Sequence, residues 1–208
     1  MSEMLSFILG LFVGLCTNLV SWWILSRYIV PKVEFSPSIA KIESAINEHD
    51  SSGVRYRFKF QNAGRRGIID VELEATLRIE KLQQRDSVQV IPLALSAEGE
   101  KKAHIICLQP VKPENKAARV WSFYINSVEQ FRTNTVFPDE FRKKATARML
   151  KLEDVLSLGE RAWIQVSIFG YDEFSGARKL FLSKDYTGTD IKEGPFAIGS
   201  LEVAVIKI

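Results

Sequence analysis

Residue types that commonly carry catalysis or bind metal ions are sparse in this 208-residue chain. Its two histidines, His49 and His104, are not accompanied by Cys-x-x-Cys or His-x-x-x-His spacing, the patterns that build zinc sites. The sequence also contains no Gly-x-Ser-x-Gly elbow, no P-loop and no paired dinucleotide-binding glycines. We therefore predict that the protein is not an enzyme and uses no metal or other cofactor.

Four carboxylates in glycine-containing segments could in principle bind calcium, which prefers oxygen ligands. They are Asp172, Glu173, Asp185 and Asp190. Their spacing does not match a regular calcium-binding loop, and hairpin turns need the same residue types. We expect strand-connecting turns here.

The basic residues suggest a different chemistry, the binding of an anionic ligand or partner. Arg142, Lys143 and Lys144 lie in the densest basic stretch of the chain, and Arg65 and Arg66 lie in a predicted turn. We take these five as candidate contacts to a protein or nucleotide ligand. A solvated helix face is the alternative for residues 142–144, since basic surface helices are common. The net charge of +3 is too small to indicate binding of nucleic acid.

These candidates belong to a chain organised around one apolar stretch, residues 4–26, which contains no charged side chain. As a helix it would be about 34 Å long, enough to cross a hydrocarbon core of about 30 Å. A cleaved signal peptide would need a basic start and small residues at the cleavage site, but Trp22 and Trp23 stand there instead. The pattern predicts a retained anchor, residues 1–30, followed by a linker with a first extended segment, 31–53.

The charges beside this stretch predict its orientation. Arg27, Lys32 and Lys41 follow it, whereas no lysine or arginine precedes it. The positive-inside rule therefore predicts a protein of the cell (inner) membrane with its N-terminus outside and its C-terminal domain in the cytoplasm. A reducing compartment agrees with Cys107 being the only cysteine outside the apolar stretch.

Three residues inside the apolar stretch could mediate association with another helix. Gly10 and Gly14 are one helical turn apart and would permit close backbone approach. The Asn18 carboxamide could bond across to a neighbouring helix, or to a carbonyl of its own helix. We predict a homo-oligomer and leave both roles of Asn18 open.

Residues 54–208 are predicted to form one all-β domain with a short helical insertion. Alternating patterns predict a strand at 54–60 with Lys59 on its outer face, and a strand at 69–80 with Ile69 facing inward. Six further strands are predicted at the spacing of a β-sandwich, and one or two short helices at 138–156. The further strands are 88–95, 103–108, 120–125, 162–170, 179–183 and 201–208.

Several motifs in the same order resemble the inward-rectifier potassium channels, specifically their last transmembrane helix and cytoplasmic domain. They are RYIVPK at 27–32, EFS at 34–36, FQNAGR at 60–65, the strand at 164–170, FSG at 174–176, and DIKEGPF at 190–196. The resemblance implies an immunoglobulin-like sandwich beneath a membrane and assembly as a tetramer. It also implies binding of anionic lipid headgroups by Arg27 and Lys32, although this linker is less basic than the family's.

The departures from that family concern conduction. The chain has no pore helix and no Thr-x-Gly-Tyr-Gly filter, so potassium selectivity has no physical basis in it. We therefore expect a non-enzymatic, single-pass membrane protein whose β-sandwich senses a ligand or docks a partner. The alternative is a ligand-triggered oligomeric effector that permeabilises the membrane, as in cyclic-nucleotide-triggered defence.

Overall fold

An N-terminal helix and two β-sheets make up the computed structural model, which describes residues 2–28, 30–43, 54–82, 87–95, 102–111, 119–123, 137–147 and 149–204. The helix α1 covers Ser2–Tyr28. Within it, Glu3–Leu25 is long and apolar enough to cross a membrane. Pro31 follows closely, and a proline disfavours helical backbone in the residue before it.

The first sheet is built around one long strand. Its members are β1 (Val33–Phe35), β2 (Ile39–Glu43), β3 (Val54–Asn62), β7 (Arg119–Phe123) and β10 (Ile191–Glu193). Strand β3 pairs antiparallel with β1, β2 and β7, and β10 adds parallel to β2. Two of these strands, β1 and β2, lie in the segment 31–53 that the sequence marks as a linker with a first extended segment.

The second sheet is antiparallel and is built around β4. Its members are β4 (Ile68–Glu80), β5 (Val88–Leu93), β6 (Lys102–Leu108), β8 (Arg161–Asp172) and β9 (Arg178–Leu182). The strand order is β5-β4-β8-β9, and β6 pairs with the first half of β4. Between the strands lie the helices α2 (Asp139–Thr146) and α3 (Leu152–Leu156) and a 3-10 turn, Gly188–Asp190. One or two short helices were expected at 138–156, and α2 and α3 are the two found there.

One hydrophobic core joins the two sheets. Alternating residues of both sheets are fully or almost fully buried and belong to a single cluster. They include Tyr56, Phe58 and Phe60 of β3, Leu73, Leu77 and Ile79 of β4, and Ile164, Val166 and Ile168 of β8. The mostly-β class with a helical insertion is thus confirmed, and a shared core between two sheets is the arrangement of a β-sandwich.

The inward orientation predicted for Ile69 is wrong. Ile68 is fully buried, whereas Ile69 is 39% exposed. Between Ile69 and Glu72 the register against β8 shifts, and Asp70 has a φ of 52°. This β-bulge inserts an extra residue and inverts the alternation at the start of β4.

Three other expectations also need correction. Lys59 lies on the predicted face of β3 but is 6% exposed, because the C-terminal segment covers it. Residues 201–204 do not form the predicted strand; they contribute an isolated bridge between Phe196 and Val203, and residues 205–208 lie outside the described part. Strand β5 ends two residues before the predicted end, and the predicted residues 124–125 are not described.

Candidate membrane-proximal site

The connection between α1 and the sandwich is short and closely packed. Tyr28 ends the helix, and two residues later Val30 contacts Gly64 in the turn between β3 and β4. A Cβ atom at Gly64 would lie 2.6 Å from the Val30 carbonyl oxygen and 2.4 Å from the Lys32 amide nitrogen. Cα atoms two residues apart are separated by at most about 7.6 Å, so this end of the sandwich lies next to the end of α1.

Backbone hydrogen bonds fix the same turn to the linker. The Lys32 carbonyl accepts the N–H groups of Ala63 at 2.7 Å and Gly64 at 3.1 Å. We call the end of the sandwich formed by residues 62–67, 108–111 and 172–177 the anchored end. Strands β3 and β8 run towards it, whereas β4 runs away from it.

The fully buried Asn62 holds the segments of the anchored end together. Its amide nitrogen donates to the carbonyls of Arg66 at 2.7 Å and Leu108 at 3.0 Å. Its side-chain oxygen accepts the N–H groups of Gly64 at 3.0 Å and Lys32 at 3.4 Å. Because a buried carboxamide is costly unless it is bonded, this satisfied Asn62 stabilises one arrangement of linker, turn and β6.

The β8–β9 hairpin completes the anchored end. The Glu173 N–H donates to the Gly67 carbonyl at 3.1 Å. The Arg66 guanidinium lies 3.5 Å from the Asp172 carboxylate and 4.3 Å from the centroid of the Phe174 ring. Burial tends to raise the pKa of Asp172, but hydrogen bonds from the Phe174 and Ser175 N–H groups and the charge of Arg66 outweigh it, and the pKa is lowered.

Three of the predicted basic contacts are brought together here, and Arg27 lies in the last turn of α1. The Lys32 side chain is 66% exposed and pairs with Glu34 at 2.8 Å. Arg65 is exposed, whereas Arg66 is mostly covered by its contacts with Asp172 and Phe174. Lys32 and Arg65 are therefore exposed at the anchored end, whereas Arg66 binds Asp172 and Phe174 within the domain.

The other predicted basic group lies away from the anchored end. Tyr56 binds helix α3 near the other end of β3, about 20 Å from Asn62 along the strand. Helix α2 lies next to α3, since Lys144 of α2 is 3.9 Å from Asp154 of α3. Arg142 pairs with Asp139, Lys144 also pairs with Glu140 at 3.5 Å, and Lys143 is exposed. These local ion pairs favour the alternative of a solvated helix face for residues 142–144.

The predicted association residues lie on a narrow face of α1. Nothing approaches a Cβ position at Gly10 or Gly14 within 4 Å. At 100° per residue, the six small polar or glycine residues of this face fall within an arc of about 120°. They are Ser6, Gly10, Gly14, Thr17, Asn18 and Ser21. Thr17 bonds the Val13 carbonyl at 2.9 Å, but the Asn18 carboxamide has no hydrogen-bond partner within the described part of the chain.

Three of the four acidic candidates, Asp172, Asp185 and Asp190, have side-chain partners in the protein. Asp185 pairs with Arg161 at 3.3 Å, and Asp190 pairs with Lys184 and accepts the Thr187 N–H. Among the described residues, no group of three or more His, Cys, Asp or Glu side chains could hold a metal ion. His104 is exposed and lies 2.7 Å from Asp70, and His49 lies outside the described residues.

Two polar features of the domain were not foreseen from the sequence. The Tyr56 hydroxyl accepts the Leu152 N–H at 3.2 Å and donates to Glu153, which pairs with Lys41 at 2.8 Å. Burial raises the pKa of Tyr56 far above its usual range, so the hydroxyl stays a hydrogen-bond donor. This network fastens α3 to the first sheet, and no local sequence pattern indicates it because its members are about 100 residues apart.

The second unforeseen feature is the buried Lys59. Its ammonium donates to the carbonyls of Ser200 at 2.6 Å and Ala197 at 3.2 Å and lies 5.7 Å from the Phe196 ring centroid. Burial lowers the pKa of Lys59. The contacts fasten the C-terminal segment over the first sheet.

No protein-family model matches this chain, and no curated protein matches it.

Proposed function

We propose that this chain is a non-enzymatic, single-pass membrane protein whose cytoplasmic β-sandwich senses a ligand or docks a partner directly beneath the membrane. The observation that carries the proposal is the packing of Gly64 against Val30 and Lys32, next to the end of an apolar helix. This contact leaves the domain little freedom to move away from the bilayer. The orientation follows from Arg27 and Lys32, which the positive-inside rule places in the cytoplasm.

Support for the finer fold assignment comes from the two sheets with one core and from the ordered motifs shared with inward-rectifier channels. We propose that the domain is an immunoglobulin-like sandwich similar to that of these channels, in a chain that has no selectivity filter. Arg27 and Lys32 would contact anionic headgroups, since each basic residue near a negative leaflet contributes about 1 kcal/mol.

Protease protection tests the orientation. In sealed right-side-out vesicles the domain should resist an added protease, and in inverted vesicles it should be digested. The reverse pattern would contradict a cytoplasmic domain. A purified protein that turned over a nucleotide, an ester or a glycoside, at a rate lost on changing one acidic residue, would contradict the non-enzymatic part.

A second candidate function is favoured by the polar face of α1. A carboxamide such as Asn18 gains by bonding to a neighbouring helix in hydrocarbon, and the glycines of this face permit close approach. We propose that helices associate through this face, as a tetramer by analogy with the channels. A nucleotide or protein ligand bound to the sandwich could then cluster the helices and permeabilise the membrane.

Dye release separates the two candidates. Liposomes that contain the full-length protein should leak after addition of a cyclic nucleotide if the second candidate is correct. If the dye is retained at saturating nucleotide, with the protein shown to be inserted, the result would contradict the second candidate and favour the docking function.

A further inference from the structure

The tip of the β8–β9 hairpin exposes a large aromatic ring at the anchored end. Phe174 is 78% exposed although one face of its ring is covered by the Arg66 guanidinium. Two other partly exposed apolar residues lie beside this hairpin: Ile69 (39%) and Tyr171 (38%), which are direct neighbours in the β4–β8 register. We call Ile69, Tyr171 and Phe174 the apolar rim.

The rim is joined by a short series of contacts to the residues that follow α1. Gly67, which binds the hairpin through the Glu173 N–H, is three residues from Gly64, which contacts Val30. Val30 is two residues from the end of α1. The segment that follows α1 is thus packed against the turn to which the hairpin is bound.

The conformation of the hairpin is held before any lipid is bound. Buried Asp172 accepts the Phe174 N–H at 2.9 Å, binds Arg66, and its carbonyl accepts the Gly176 N–H at 2.8 Å. Gly176 has a φ of 65°, a conformation that favours glycine, so the tip turns sharply and Phe174 projects from it. A held aromatic residue loses little conformational freedom when it inserts.

The charge next to the rim is mixed: the exposed carboxylates of Asp70 and Glu173 lie beside Ile69 and Phe174, and two exposed arginines could contact phosphate. Arg65 is exposed on the turn beside Arg66, and Arg178 is exposed on β9 opposite Tyr171. Arginine binds phosphate oxygens through two parallel hydrogen bonds, and aromatic rings favour the boundary between headgroups and acyl chains.

We propose that the anchored end makes a second membrane contact, in which Phe174 enters the leaflet from which α1 emerges and Arg65 binds lipid phosphate. The contact holds the sandwich in one orientation on the bilayer. It rests on α1 as the membrane anchor and is independent of the ligand or partner proposed above.

Depth-dependent quenching tests this contact in the full-length chain. Cys16 and Cys107 are changed to serine, and a single cysteine is introduced by Ser175→Cys and labelled with the fluorophore NBD. The control label is placed by Val88→Cys, which is 47% exposed and pairs with the far end of β4, about 40 Å away. Both proteins are reconstituted in nanodiscs of phosphatidylcholine and phosphatidylglycerol (3:1) with nitroxide-labelled lipid.

The label at 175 should be quenched at least about threefold more than the label at 88. Phe174→Ala should reduce the quenching at 175 but keep it above the level at 88, because the linker still holds the anchored end near α1. Phe174→Leu should retain most of the quenching, and Arg65→Glu should weaken it. Unchanged quenching at 175 in Phe174→Ala would overturn the insertion of the ring. Equal quenching at the two positions would overturn the proposal and leave Phe174 as a surface for a protein partner. Unchanged quenching in Arg65→Glu would overturn the phosphate contact.

This result is distinguishable from a failure of the anchor. Incorporation of the labelled protein into nanodiscs is measured first, by co-elution of protein and lipid. Phe174→Ala removes the contact of the ring with Arg66, so a decrease in the free energy of unfolding of no more than about 1 kcal/mol is expected. A retained cooperative thermal transition serves as the folding control.

Discussion

Replacing Gly64 with alanine should separate the sandwich from the linker that joins it to α1. The new Cβ atom would lie within 2.7 Å of three backbone atoms, in Val30, Pro31 and Lys32. Backbone atoms cannot rotate away as the end of a side chain can. The φ of Gly64 is not positive, so the alanine itself is acceptable to the turn and the clash is the only new cost.

The size of the effect follows from the contacts that the clash breaks. Moving the linker away removes the hydrogen bonds from Ala63 and Gly64 to the Lys32 carbonyl, and it weakens the one from the Lys32 N–H to Asn62. At about 1 kcal/mol for each bond, the free energy of unfolding should fall by about 2–3 kcal/mol. For a domain of this size the melting temperature should fall by about 5–10 °C.

Thermal unfolding of the full-length protein in detergent micelles, followed by near-ultraviolet circular dichroism, measures this change. Gly188→Ala is the matched control, because nothing lies within 4 Å of its Cβ position and its φ is not positive. It should change the free energy of unfolding by no more than about 0.5 kcal/mol. A Gly64→Ala protein that melts within about 1 °C of the parent would refute the proposed packing between turn and linker.

Three further predictions concern lipid, assembly and acid stability. Charge reversal at both Arg27 and Lys32 should weaken the binding of a soluble form beginning at Arg27 to anionic vesicles by about 2 kcal/mol, and high salt should abolish the difference, as sedimentation with vesicles would show; equal binding would assign these residues to topology alone. Asn18→Leu should shift the full-length protein towards monomer by about 0.6–2 kcal/mol, as measured by native mass spectrometry in nanodiscs, and a parent protein that is strictly monomeric at micromolar concentration would contradict the oligomer. The lowered pKa of Asp172 means that its contribution to stability is complete above its unfolded value near 3.8 and is lost as pH falls through the folded value. Asp172→Asn should therefore lower the urea midpoint at pH 7, and the midpoint of this variant should fall less than that of the parent as the pH drops below about 4. Parallel acid profiles for the two proteins would contradict this.

Local periodicity was sufficient to predict the long strands. Residues 54–60 and most of 69–80 alternate cleanly, and both segments are strands because one of their faces is buried in a common core. The apolar composition of α1 is likewise sufficient to predict this helix without knowledge of tertiary contacts. The mistaken phase at Ile69 has a local cause, since a bulge at Asp70 adds one residue that a strict alternation cannot include.

Features that depend on contacts between distant segments could not be predicted from the sequence. Strands β1 and β10 have three residues each, too few for a period to be recognised. Lys59 follows the outward pattern of its strand and becomes buried only because residues 197–200 fold over it. The anchored end was foreseen as individual basic residues, but the contact of Gly64 with Val30 and the place of Phe174 beside Arg66 arise from the fold.

The packing of the β3–β4 turn against Val30 also gives the molecule a mechanical property. Strand β4 begins at the anchored end and extends for 13 residues, about 43 Å. If the sandwich follows a tilt of the anchor as a rigid body, a tilt of about 10° would displace the far end of β4 by about 7 Å. The displacement of each part of the domain would then increase with its distance from Gly64. Changes in bilayer thickness or in helix packing that tilt the anchor by about 5–10° would then displace the end of β4 at Glu80 by about 4–7 Å.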